Sequence, residues 1–133
     1  MQLQLAVEMG ESAGLSMFFG SDEHLLAGLA LGCRAAIGST YGYASSPARA
    51  VFDAFERGDL DEARRAQRTI VRLVRPLLRH GVLRTGKALL GSVGVPIGPP
   101  RAPERGLDAA ELEAVLAEIA PLRLPGLHDE SGS

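Results

Sequence analysis

Two short polar clusters carry the residues that could do chemistry. Asp22 and Glu23 stand in Gly20-Ser21-Asp22-Glu23, and Ser39 and Thr40 in Gly38-Ser39-Thr40-Tyr41. Carboxylates accept hydrogen bonds, and short hydroxyls both donate and accept, so the four residues would suit a polar ligand if they faced one space. The same residues have a plainer use. Asp22 and Glu23 fall where a helix would begin, where carboxylates complement the positive end of the helix dipole by a few tenths to about 1 kcal/mol. Ser39 and Thr40 could equally form a turn that caps a helix. Neither cluster has a histidine or second acid at a fixed spacing that would mark a hydrolase.

The elements around these clusters decide whether they meet. Leu15 to Phe19 is a short apolar run that stops at Gly20, which reads as a strand buried on both faces. Ser21 is the expected N-cap of a helix. Leu25, Leu26 and Leu29 share that helix's apolar face, and Gly32 supplies its stop. Ala35-Ala36-Ile37 is a second short strand. A crossover helix makes the two strands parallel, so both polar loops lie beyond the C-terminal strand ends, the edge where parallel α/β folds bind ligands.

The rest of the chain reads as helix. Met1 to Met9 suggests a short helix before Gly10, and Ser46-Pro47 opens another that carries Val51, Phe52 and Phe55 and closes at Gly58. Asp59 begins a long amphipathic helix to His80, with Gly81 as its stop and Pro76 as an internal kink or break. A further helix is expected from Arg84 to Leu90. Gly94 to Pro103 is too rich in glycine and proline for regular structure. Asp108 caps a last helix that ends before Pro121, and residues 125–133 form a polar, mobile tail. The expected division is 1–58, 59–124 and 125–133.

Composition narrows the function classes. At 133 residues, 46% apolar and 23% charged, the chain has the size and balance of one globular domain. A formal net charge of −2 offers no general attraction to nucleic acid or acidic membranes. Arg64, Arg68, Arg72, Arg75 and Arg79 follow helical spacing, but an aromatic fraction of 5% gives no base-stacking platform, so they read as a solvated face. The single cysteine, Cys33, excludes an internal disulfide framework and reads as a small core residue. His24, His80 and His128 lack ligand spacing, so neither a metal nor a cofactor is expected. The first residues lack the basic start and long apolar core of a signal peptide, and cytoplasmic residence is the expectation.

Two parallel strands followed only by helices make a poor sheet, which suggests part of a larger α/β fold. Gly20-x-Asp22-Glu23, Leu25-Leu26, Gly32 and Gly38-Ser39-Thr40-Tyr41 resemble the C-terminal half of the N-acetylneuraminate lyase family of class I aldolases, in one superfamily with dihydrodipicolinate synthase. Ala54-Phe55, Gly58-Asp59, Gln67, Gly81-Val82 and Gly98-Pro99-Pro100-Arg101-x-Pro103 extend the resemblance from about Leu3 to Leu122.

The resemblance implies a partial TIM (β/α)₈ barrel: the last two βα units, then the family's C-terminal helical extension. It implies cleavage of N-acetylneuraminate to N-acetylmannosamine and pyruvate through a lysine Schiff base, in a homotetramer. By position, Gly20, Asp22, Glu23 and Ser39 resemble the residues that hold the sugar acid's hydroxyls. Charged acceptors and short hydroxyls suit vicinal hydroxyls.

Gly42 stands where the family commonly has asparagine. A barrel of this kind takes about 250 residues, and the first six βα units, with the Schiff-base lysine and catalytic tyrosine, match nothing here. Lys87 is the only lysine, against thirteen arginines, and falls in a helix away from either strand end. The chain is therefore expected to be truncated and inactive alone. The alternative is a non-catalytic module that docks onto full-length lyase subunits or onto its own copies.

Overall fold

The computed structural model describes residues 2–127; of the expected tail, 125–133, residues 128–133 with His128 lie outside the described residues, while Leu127 is buried in the helical core rather than mobile. The element order is α1 (Gln2–Ser12), β1 (Phe18–Phe19), a 3₁₀ turn (Asp22–His24), α2 (Leu25–Ala30), β2 (Ala35–Ala36), a second 3₁₀ turn (Ser39–Gly42), α3 (Ser45–Glu56), α4 (Leu60–His80), α5 (Val82–Ser92), α6 (Ala109–Ile119) and a last 3₁₀ turn (Ala120–Leu122). The chain divides into two compact units. One holds the residues up to Ser39 together with Pro47–Ile70; the other holds Thr40–Ser46 and Val71 onward.

In the first unit, β1 and β2 pair in parallel, Phe18 opposite Ala35 and Phe19 opposite Ala36. The Ile37 N–H donates to the Phe19 carbonyl at 2.9 Å and extends the pairing by one bond. The expected burial on both faces is not what forms. Phe18 is 59% exposed, and Phe19, Ala35 and Ala36 are only partly buried. Alternation along a strand explains the difference: α2 covers one side and Phe18 points to the other. A Cβ built on Gly28 of α2 would stand 2.6 Å from Phe19 Cδ1, so Gly28 is what lets the helix sit on that ring.

Helix α2 ends as its glycine demands. Gly32 has φ +98°, its N–H donates to the Leu29 carbonyl at 3.0 Å, and the Cys33 N–H donates to the Gly28 carbonyl at 3.0 Å. That pair of bonds closes the last turn in a Schellman motif. Gly10, expected to stop α1, lies inside it instead. It is buried, and a Cβ there would come 2.7 Å from Met17 Cγ, so this glycine serves packing.

The second unit is helical. Leu73, Leu77, Leu89, Val115 and Ile119 form its buried core, each burial contributing about 1.5–3 kcal/mol. Helix α4 is one continuous element with Pro76 inside it, not two helices. The start of α4 belongs to the first unit, where Asp59 Oδ1 accepts from the Glu62 N–H at 2.9 Å; in the second, Gly81 at φ +90° follows its end. Asp108 and Glu111 form a complete capping box on α6. Glu111 also takes two hydrogen bonds from Arg105, at 2.6 and 2.7 Å, and pairs with Arg84 of α5. The Arg105 guanidinium, the capping N–H of Asp108 and Arg84 together hold the Glu111 carboxyl down to a pKa of about 2. Between α5 and α6 the glycine- and proline-rich stretch has no regular structure, as its composition requires. No helix among the described residues is long and apolar enough to cross a membrane.

Candidate functional site

The parallel register puts Asp22, Glu23, Gly38 and Ser39 beyond the C-terminal ends of β1 and β2, in the first unit; Thr40 and Tyr41 belong to the second. Asp22 is buried, 7% exposed, while Glu23 is partly buried and Gly20 and Ser39 are exposed. The two clusters are in contact. A Cβ built on Gly38 would overlap Asp22 Oδ1 and Cγ and come within 2.7 Å of Oδ2. The Asp22 carboxylate therefore rests on the backbone immediately before Ser39, and only glycine leaves it room.

The acidic turn is anchored in a way that local sequence does not announce. Ser21 occupies the cap position of the 3₁₀ turn but makes no side-chain cap bond; its Oγ lies 2.9 Å from His24 Nδ1 instead. His24, at the cap position of α2, also makes no cap bond, and its Nδ1 lies 3.9 Å from Glu23 Oε1. The expected Ser21 cap is thus spent on His24. The missing partner comes from α4: Gln67 Oε1 accepts from the Leu26 N–H at 2.8 Å, and Gln67 Nε2 donates to the Asp22 carbonyl at 3.1 Å. The two contacts lie 41 and 45 residues away in sequence, so no helix-start pattern around Ser21 could have revealed them.

Lys87 takes no part in this arrangement. In the second unit its Nζ donates to the carbonyls of Ile97 and Gly98, at 3.3 and 3.4 Å, and ties α5 to the irregular stretch after it. Among the described residues, no group of three or more histidine, cysteine, aspartate or glutamate side chains could hold a metal ion. The site is thus a set of hydrogen-bonding groups: one carboxylate fixed against a loop, a second partly open to solvent, and an exposed serine hydroxyl.

Residues 2–121 match the model of the dihydrodipicolinate synthetase family. The chain belongs to that family. Among its relatives, the N-acetylneuraminate lyase of Rhizobium meliloti is 40% identical over 106 residues, 80% of this chain and 36% of the relative. The 4-hydroxy-tetrahydrodipicolinate synthase 1 of Streptomyces coelicolor is 37% identical over 111 residues, 82% of this chain and 36% of the relative. The solved N-acetylneuraminate lyase of Proteus mirabilis superposes with a TM-score of 0.77 at 31% identity, over 83% of this chain and 37% of that one. The chain thus spans little more than a third of the length of each. The matches support a helix-rich α/β fold like that of the aldolases that the chain resembles.

Proposed function

We propose that these residues form the sugar-acid-holding part of an N-acetylneuraminate lyase, built as the last two βα units of a (β/α)₈ barrel and its helical extension. The contact of the Asp22 carboxylate with Gly38 carries the reading, because it draws the acidic turn and Gly38-Ser39 to one place, at the edge where parallel α/β folds bind ligands. In the proposed site, Glu23 accepts hydrogen bonds from ligand hydroxyls, Ser39 donates or accepts at close range, Gly20 leaves space for the ligand, and Asp22 holds the two loops in register. The relatives named as N-acetylneuraminate lyases supply the ligand class.

Cleavage breaks one carbon–carbon bond of the sugar acid, and the pyruvate half needs a neutral lysine amine to form its Schiff base. The Lys87 amine is engaged with the Ile97 and Gly98 carbonyls, so in this reading the 133 residues alone lack the nucleophile. The test is complementation. Mixed with a polypeptide supplying the first six βα units of the Rhizobium meliloti relative, the chain is expected to release pyruvate from N-acetylneuraminate; alone it is expected to release none. A pyruvyl adduct trapped by borohydride on Lys87 of the isolated chain would overturn this assignment.

A second reading, a docking module without catalysis, draws on the uncovered strand face. Phe18 of β1 is 59% exposed and Ile37, just after β2, 69%, an apolar surface of the kind that mediates association. The two readings part at complementation, which the docking module does not need.

A further inference from the structure

A helix leaves its first backbone N–H groups without intrahelical partners, and a side chain at the cap position commonly takes one of them. Here the cap residue of α2, His24, takes none, and Ser21 is turned to His24. Gln67 does that work from α4. Its amide spans the turn, with the oxygen on the Leu26 N–H at 2.8 Å and the nitrogen on the Asp22 carbonyl at 3.1 Å. Asp22 and Glu23 lie in the short arc between those two bonds. A planar amide with both bonds made fixes the separation of its two backbone partners, and so the direction in which the Glu23 side chain leaves the chain.

We infer that Gln67 is a positioning residue for the sugar-acid site: it sets the Asp22–Leu26 turn, and through it the Asp22 and Glu23 carboxylates, without touching the ligand. This rests on the function proposed above. Glutamine is required because the task needs one acceptor and one donor on adjacent atoms. Methionine has the length and neither group. A glutamate there keeps the acceptor for Leu26 but, when ionised, turns an oxygen without a proton toward the Asp22 carbonyl.

The test uses the ¹⁵N-labelled chain, N-acetylneuraminate as probe, and the variants Gln67→Met and Gln67→Glu. In wild type, the probe is expected to shift the amides of Asp22, Glu23 and Ser39. In Gln67→Met the Leu26 amide is expected to exchange with solvent about tenfold faster, while Leu73 keeps its protection, and the probe to bind about tenfold more weakly. In Gln67→Glu, Leu26 protection relative to wild type is expected to recover as pH falls and the introduced carboxyl gains the proton that it donates to the Asp22 carbonyl. A side chain that merely filled space would show no such pH profile. Wild-type Leu26 exchange and affinity in Gln67→Met overturn the inference. Faster Leu26 exchange in that variant, with no probe shift even in wild type, sinks the sugar-acid reading and leaves the turn-setting role of Gln67 standing. Should Gln67→Met fail to fold, the pH series on Gln67→Glu decides: no recovery toward low pH overturns the inference.

Discussion

The carboxylate of Asp22 lies on the backbone of Gly38, sixteen residues away across a parallel strand pair, and any Cβ at position 38 would occupy the carboxylate's space. Because Asp22 is buried there, the clash cannot be relieved by swinging the side chain freely into water. Gly38→Ala is therefore expected to destabilise the first unit by about 1–3 kcal/mol, the usual cost of forcing extra volume into a packed site. Denaturant unfolding checks it. Unchanged stability would mean that Asp22 has another low-energy position and that the two loops are not locked together.

Glu23 separates ligand binding from folding. Its side chain is partly exposed, so Glu23→Gln is expected to change stability by no more than about 0.5 kcal/mol. Loss of a charge-assisted bond to a ligand hydroxyl costs about 1.5–3 kcal/mol, which predicts a roughly tenfold to hundredfold drop in cleavage by the complemented enzyme. Asp22→Asn, at a buried position, is expected to cost both stability and activity. Equal activity of Glu23→Gln and wild type would remove Glu23 from the site.

What the sequence shows and what it hides follow from the range of each interaction. The cap of α4 at Asp59, the capping box at Asp108 and Glu111, and the glycine ends at Gly58 and Gly81 are settled within four or five residues, and all are legible as patterns. The strands are not. Leu15 to Phe19 reads as a buried strand, but only Phe18 and Phe19 pair, because burial depends on what covers the second face. Gly10 looks like a stop until Met17 is seen against it. The candidate loops are legible in position, whereas the Gly38 contact and the Gln67 amide are long-range facts that only the fold reveals.

Lys87 is expected to be dispensable for cleavage. Its bonds to the Ile97 and Gly98 carbonyls make it a tether for the irregular stretch after α5. Lys87→Met is therefore expected to leave the pyruvate yield of the complemented enzyme unchanged and to lower stability by about 0.5–1.5 kcal/mol. A collapse of activity with the fold intact, judged by circular dichroism, would make this lysine the nucleophile after all.

The Glu111 carboxyl gives the second unit an acid limit. Its folded pKa is about 2, below the ordinary glutamate value of about 4.3. The unfolded chain therefore takes up the proton first as pH falls. The stabilisation is complete above the unfolded value and is lost progressively between about 4.3 and about 2. Thermal melts of wild type and Glu111→Gln are expected to differ most near neutral pH and to converge toward pH 2. A constant difference across that range would show that the ionised form of Glu111 is not what Arg105, Asp108 and Arg84 hold.

The uncovered strand face makes the last prediction. Phe18 and Ile37 expose large apolar side chains beside a pair of strands only two residues long. An apolar surface of this kind lowers its free energy by covering itself, whether with another copy or with further barrel strands. Sedimentation of the wild-type chain is expected to show concentration-dependent association, and Phe18→Asp with Ile37→Asp to abolish it. Both positions face solvent, so each change alone is expected to alter stability by only about 0.5 kcal/mol. The same pair of changes is expected to block complementation, because the face that a closed barrel would enclose then carries two charges. Association that persists in the double variant would place the sticky surface elsewhere, and complementation that persists would deny this face its place in a barrel.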